Sequence, residues 1–409
     1  MDLRPTPQDE AFRKQVQAWL AEHLPRQKLT TIDERKGWHR QLYAAGYLGM
    51  GWPREYGGQD ARPMEQAIVG EEMARVKAPA PVNGLGIGIV GPTIIHHGTE
   101  AQKQRFIKKI LTAEEIWCQL YSEPNSGSDL ASLRTRAERD GDVFVVNGQK
   151  VWTSGGMHSD WGLLLARTDP AAPKHQGISC FLVDMHAPGV TVRPLRQISG
   201  SEEFCEVFFD NVRVPAENQL GELNAGWRIA QTTLSYERGG NTLSRVSAQQ
   251  AEFARLLEVA RTLHHNGHPA IEDPIIRQKL GQIYAEIEVL RYGSLRILSR
   301  LEQGQRPGPE SSVAKVYYSE LDKRIQELAQ DILGPYGQLT TGLPDELALA
   351  PGAAYGESGS WAYAFVWSRA GTIYAGSNEI QKNIIGERVL GLPKEVRADR
   401  MKQAVGDRG

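Results

Sequence analysis

The sequence predicts an α+β chain in three parts: an N-terminal α-helical domain over residues 1–117, a small antiparallel β domain over 118–231, and a long C-terminal four-helix bundle over 232–409. Three observations carry this reading. Apolar residues recur at helical spacing in the first part, alternate from about Cys118 to Gln231, and return to helical spacing from about Asn224. No helix pattern separates the strand-like runs of the middle part, which excludes a βαβ array. The last segments are long, and a helix of ~25 residues spans nearly 40 Å, so four of them with short links predict an up-down bundle.

In the first part Phe12, Val16, Trp19, Leu20 and Leu24 form one apolar stripe. Pro63 is placed to open a further helix with Ala67, Ile68 and Met73 on one side. Phe106, Ile107, Ile110 and Leu111 continue the pattern, with the turn-rich GWPREYGGQD between. The middle part begins with DVFVVNGQKVWTSG, where Asn147-Gly148 between two β-rich runs signals a hairpin. WGLLLART, GISCFLVD, GVTVRPL and FCEVFFDNVRVP follow as strands, each bounded by Gly, Pro or Asp. The bundle is expected from the segments starting at AGWRIAQ, DPIIRQK, SSVAKVY and GSWAYAF.

Composition narrows the function classes. Lys plus Arg total 47 against 49 Asp plus Glu, a net charge of −2, and no basic stripe is present to neutralise phosphates, so no nucleic-acid partner is expected. Cys118, Cys180 and Cys205 form no C-x-x-C pair, which argues against zinc and disulfides and fits a reducing cytosol. The start, MDLRPTPQDEAFRKQ, is charged from its second residue and lacks the apolar centre of a secretory signal. No run approaches ~18 apolar residues, so a cytoplasmic protein without a membrane span is expected.

Four motifs invite chemistry. Gly86, Gly88 and Gly91 spell G-x-G-x-x-G, but a dinucleotide fingerprint needs a strand before it and a helix after it. Here KAPAPVNGL precedes and Pro92 follows, so the run reads as glycine-rich helix packing. His96-His97 and His264-His265 are adjacent pairs, not i,i+4 pairs, and read as exposed helix ends with no metal. YSEPNSGSDLASLRTRA, residues 121–137, gathers Ser122, Asn125, Ser126, Gly127 and Ser128; its hydroxyls and free N–H groups suit a polar ring or a phosphate, or else a domain linker. Trp152, beside Thr153 and Ser154, reads by itself as a core residue of the hairpin, with a ring facing an aromatic cofactor as the other reading.

Together, YSEPNSGSDLASLRTRA, VNGQKVWTSGGMHSDWGLLLARTD, DNVRVPAENQLGELNAGW, AQDILGPYG and IYAGSNEIQKNIIGERVLGLP resemble the acyl-CoA dehydrogenase family, in the family's order and across essentially the whole chain. The resemblance implies non-covalent FAD between the β domain and the bundle. It implies Ser122 and Ser128 at the isoalloxazine region or phosphates, with Ser128 also facing the substrate. It implies Trp152 over the ring, Thr153 and Ser154 on its polar edge, and Ser377 and Glu379 near the adenosine half. Gln330 and Gly334 match positions reaching the FAD of a neighbouring subunit. Arg277 is placed as a pyrophosphate partner, although EDPIIRQKLGQIY stands where the family usually carries Arg-x-x-Phe-Gly. The resemblance further implies an acyl-CoA substrate, an electron-transfer flavoprotein as acceptor, and a homotetramer built as a dimer of dimers or a heterotetramer with a paralogue.

The chemistry says which groups such a site needs. Desaturating an acyl thioester removes an α-proton and a β-hydride. No side chain accepts hydride, so a flavin is required. Hydrogen bonds must polarise the carbonyl, and a carboxylate must reach Cα from the side away from the ring. The family often carries that carboxylate in the loop where this chain has Ala375. Some branched- and long-chain members carry it on the first bundle helix just before an Arg, a position matched here by Glu237 and, for CoA binding or helix placement, Arg238. A second carboxylate at Ala375 would repel the first. Two rival readings are a non-catalytic subunit of a heteromeric dehydrogenase and an enzyme passing electrons to oxygen.

Overall fold

The computed structural model describes residues 5–239, 242–305, 308–340, 342–349 and 360–394, the side chains of 237–239 and 242 excepted. The N-terminal part is helical because its caps and stripes agree. Thr6 opens α1 (Pro7–His23): its hydroxyl accepts from the Asp9 N–H while the Asp9 carboxylate accepts from the Thr6 N–H. Thr31 and Glu34 repeat this box at α2 (Ile32–Ala44), and Pro63 is the first residue of α3 (Pro63–Arg75). Val16, Leu20, Trp38, Leu42, Ile68 and Val69 meet in one core. The glycine-rich run forms a π-helical turn, Gly86–Val90, that leads into α4 (Gly91–His97), followed by α5 (Glu100–Thr112). A Cβ on Gly91 would lie 2.2 Å from the Trp52 ring, so this glycine serves close packing.

The middle strands are β1 (Trp117–Leu120), β2 (Arg136–Asp140), β3 (Val143–Ser154), β4 (Trp161–Arg167), β5 (Ile178–Asp184), β6 (Val190–Leu195), β7 (Phe204–Pro215) and β8 (Gln219–Leu220). Among the described residues these eight form one sheet, ordered β6-β7-β3-β2-β4-β5-β8 with β1 against β4. The pairing is antiparallel except for β1 with β4 and β2 with β4, which run parallel. One face encloses Phe144, Val146, Leu164, Phe181 and Val207; the other presents Trp117, Leu163, Leu165, Ile178 and Leu182 to Phe106, Ile107 and Ile229 of the helices. The expected turn at Asn147-Gly148 is a correction: both residues lie inside β3, at a register shift, and the β2–β3 turn is at Gly141. Gly148 is there because a Cβ would fall 2.7 Å from the Thr135 backbone.

The last part holds α6 (Gly226–Gly239), α7 (Thr242–Thr262), β9 (His264–His265), β10 (His268–Pro269), α8 (Pro274–Glu302), α9 (Glu310–Leu333), α10 (Trp361–Ser368) and α11 (Asn378–Ile384). The helix expected from Ala225 to Leu263 is seen as α6 and α7, on either side of residues 240–241, which lie outside the described residues. His264-His265 does not end a helix but pairs with His268-Pro269 about Asn266-Gly267, both at positive φ, the two-residue turn that an Asn-Gly pair favours. Leu256, Leu280, Ile287, Leu321, Ile325, Ile332 and Trp361 fill the bundle core. Among the described residues no helix is long and apolar enough to cross a membrane.

Candidate active site

The β domain supplies an exposed indole. Between Lys150 and Thr153 the register of β3 on β7 shifts, so Val151 and Trp152 oppose the single residue Glu206. This bulge gives Trp152 a φ of 60° and leaves it 56% exposed, which overturns its reading as a hairpin core residue. Trp152 meets Phe204 edge-on at 6.0 Å, Phe204 stacks on Trp367 at 5.8 Å, and Trp367 stacks on Tyr363. The Tyr363 hydroxyl donates to Ser201 Oγ. This aromatic row joins β3 and β7 to α10. Phe204, Tyr363 and Trp367 were missed in the sequence, although the i,i+4 spacing of Tyr363 and Trp367 could have revealed them. Ser154 is half-buried beside Trp152. Thr153 is 1% exposed and turned toward Cys205 and Gly156, with its Oγ1 buried without a partner, so Ser154 is the more accessible of the two hydroxyls.

The segment leaving β1 lies against this strand. The Ser122 carbonyl accepts from the Val151 N–H at 2.9 Å, and Ser128 is exposed further along the loop. Gln119 shares the strand face of Trp117 and Tyr121, and its side-chain Nε2 is buried without a partner. The sequence drew no attention to it.

Helix α6 is clamped to that segment. Thr233 Oγ1 donates to the Ile229 carbonyl at 2.8 Å and accepts from Tyr121 Oη at 3.0 Å and Thr93 Oγ1 at 3.1 Å. Beside it the His97 ring pairs with Thr232 Oγ1 at 3.0 Å. Burial, then His96 and Arg228, lower the His97 pKa to about 4, so the ring is neutral. Four residues beyond Thr233, on the same helix face, comes position 237. The side chains of Glu237 and Arg238 lie outside the described residues.

The loop carrying Ala375 closes over α9. Ala375 is left-handed at φ 54° and Gly376 follows at 83°; the Gln381 amide donates to the Ala375 carbonyl at 2.8 Å. Ser377 caps α11 by accepting from the Ile380 N–H. Asn378 Oδ1 accepts from Lys315 Nζ and Ser319 Oγ, and its Nδ2 donates to Glu320. Glu379 is exposed, and its own N–H and Ser377 lower its pKa.

Arg277, Gln330 and Gly334 gather elsewhere. Arg277 is exposed on the first turn of α8, and Gln330 and Gly334 end α9; the Lys279–Asp331 pair at 2.7 Å joins these two helix ends. The Gln330 amide donates to the Trp361 carbonyl at 3.3 Å.

The chain matches the acyl-CoA dehydrogenase N-terminal domain over residues 6–114, the middle domain over 118–212 and the C-terminal domain over 224–390. It is 40% identical to the acyl-CoA dehydrogenase IpdE1 of Mycobacterium tuberculosis, covering 95% of this chain and 99% of that protein. The solved ChsE4-ChsE5 complex of Mycobacterium tuberculosis superposes with a TM-score of 0.81 at 32% identity, covering 97% of this chain and 100% of that one. A Tcur3481-Tcur3483 steroid ACAD superposes with a TM-score of 0.80 at 31% identity, with coverage of 97% and 100%. The chain therefore belongs to the acyl-CoA dehydrogenase family, FAD flavoproteins that oxidise acyl-CoA thioesters in lipid catabolism. Its own residues fit the cofactor. Gln119 holds a buried donor that needs an acceptor, as the carbonyls of the flavin pyrimidine ring are, and Trp152 presents a bare ring.

Proposed function

We propose that the chain catalyses the α,β-dehydrogenation of a ring-bearing acyl-CoA to its trans-2-enoyl-CoA, with Glu237 as the base and an electron-transfer flavoprotein as the electron acceptor. FAD bound here supplies the hydride acceptor. Ser122, Ser128 and Ser154 would hold it, with Trp152 over the ring and Gln119 on its polar edge. Ser377 and Glu379 would meet its adenosine half, and Arg277, Gln330 and Gly334 the FAD of a neighbouring subunit. Ser128 and Arg238 would contact the CoA thioester. The Glu237 carboxylate takes the α-proton, which is the step the chain itself must provide once Ala375 brings none.

The observation that carries this reading is the Tyr121–Thr233–Thr93 clamp, which sets α6 against the flavin-facing segment one turn before Glu237. A ring-bearing acyl group is supported by the steroid ACAD neighbour. Two of the structural neighbours are pairs of different chains, which favours the heterotetramer with a paralogue over a homotetramer. The free, buried cysteines fit a cytoplasmic enzyme. The Glu237→Gln variant tests the assignment: FAD stays bound, and bleaching of the flavin by an acyl-CoA that bleaches the wild type slows by roughly 10²–10⁴. Bleaching at the wild-type rate removes Glu237, and wild-type, FAD-loaded protein that no member of a straight-chain, branched and alicyclic acyl-CoA panel bleaches supports the non-catalytic subunit instead.

A further inference from the structure

We propose that Lys150 and Glu123 are positioning residues for the flavin: a buried ion pair that ties the Ser122 segment to β3 and aims Trp152 outward. The inference rests on the reading of Ser122, Trp152 and Ser154 as flavin-facing. Lys150 is a lysine with none of its side chain exposed, and Glu123 is 8% exposed. The Lys150 ammonium donates to the Tyr121 carbonyl at 3.0 Å and to Glu123 Oε1 at 2.8 Å. The Glu123 carboxylate also accepts from the backbone N–H groups of Arg134 and Thr135, at 2.6 and 2.9 Å. With the Val151 N–H on the Ser122 carbonyl, residues 121, 122 and 123 are each bound to residue 150 or 151.

The position of this knot gives it a function. Lys150 is the last residue before the bulge. Strict alternation with Lys150 inward would also turn residue 152 inward. The bulge inserts one residue, so Thr153 takes the inward place and Trp152 the exposed one. Anchoring the ammonium inside therefore sets the phase of β3 immediately before the residue that must face out. The same two side chains close both ends of the 123–135 loop that carries Ser128. A lysine on a sheet is ordinarily exposed, and a strand interior is stabilised as well by an apolar side chain, so packing alone does not account for a charge here.

The test uses apoprotein titrated with FAD, read by quenching of flavin fluorescence. Lys150→Met combined with Glu123→Gln removes both charges while keeping the volumes, so the apoprotein is expected to melt within about 2–4 °C of the wild type. The FAD Kd is expected to rise about tenfold or more, equivalent to about 1.4 kcal/mol, with a changed visible circular dichroism of the bound flavin. Glu123→Gln alone is the milder arm and is expected to raise Kd severalfold. Asp9→Asn, at a buried acid bonded to Arg62 in the N-terminal domain, is expected to lower the melting temperature and leave Kd unchanged. An FAD Kd within twofold of wild type in both Glu123 variants, or a loss of affinity in Asp9→Asn proportionate to its melting temperature, overturns the proposal. Trp152→Ala and Ser154→Ala separate the two layers: if neither changes Kd, it is the flavin-site reading that falls.

Discussion

Glu123 in the β domain and Glu252 in the bundle are both nearly excluded from water, yet they are held in opposite states. Burial alone would push Glu123 up, but Lys150 and the N–H groups of Arg134 and Thr135 bring it below the usual carboxylate range. Lys150 is pulled down by burial to about 8, partly offset by Glu123, and so remains charged at neutral pH. Glu252 is raised well above its usual range by burial and then by Asp322, and burial lifts Asp322 itself to about 7. The surroundings explain the contrast. On α7 and α9, Gln326 donates to Glu252 and Gln249 to the Tyr318 carbonyl, while Gln249 Oε1, Glu252 Oε1, Asp322 Oδ1 and Gln326 Oε1 are buried without partners. Lys77, Arg369 and Arg245, the last over the Tyr318 ring, are the cations acting on this cluster. Burial is common to both sites; the supply of donors decides which carboxylate is ionised.

The largest expected effect breaks the donor-rich site. Lys150→Met alone leaves Glu123 buried without its cation and is expected to cost about 3–5 kcal/mol in urea unfolding. A loss under about 1 kcal/mol would mean that the N–H groups suffice.

A smaller effect of opposite sign is expected in the bundle. Glu123 and Asp9 have lowered pKa values, so their contribution is present above the usual carboxylate range and lost as pH falls through their folded values. Glu252 and Asp322 are raised, so their contribution is fully present below the usual carboxylate range, about pH 4, and is lost as pH rises toward about 7 and beyond. Glu252→Gln supplies the missing donors and is expected to stabilise the protein by roughly 1–2 kcal/mol at alkaline pH, the gap closing in acid. Denaturation at several pH values reads this directly, and a destabilised variant at pH 8 would reverse the account.

The smallest effect concerns backbone strain in place of charge. Ala375 holds a left-handed φ against the Gln381 tie. Ala375→Gly is expected to raise stability by less than about 1 kcal/mol, because the relief of strain is offset by the greater freedom of unfolded glycine. A melting temperature that falls would show that the Ala375 methyl packs usefully.

The sequence by itself determined the order helix, sheet, helix and the segments that build the site, because periodicity and capping are local. Phe12 to Leu24 carry their helix, and Pro63 its start, without help from elsewhere. Motif order also brought Ser122, Ser154 and Glu237 into one reading. Only the tertiary structure decided between the two Asn-Gly pairs: Asn147-Gly148 is crossed by Thr135 and becomes strand, whereas Asn266-Gly267 is left to turn. Likewise the outward Trp152, the inward Thr153, the donor on Gln119 and the buried Lys150 depend on partners far along the chain. Tyr121 and Glu123 lie 29 and 27 residues from the lysine they hold, and a side chain's burial is set by which distant groups arrive to satisfy it.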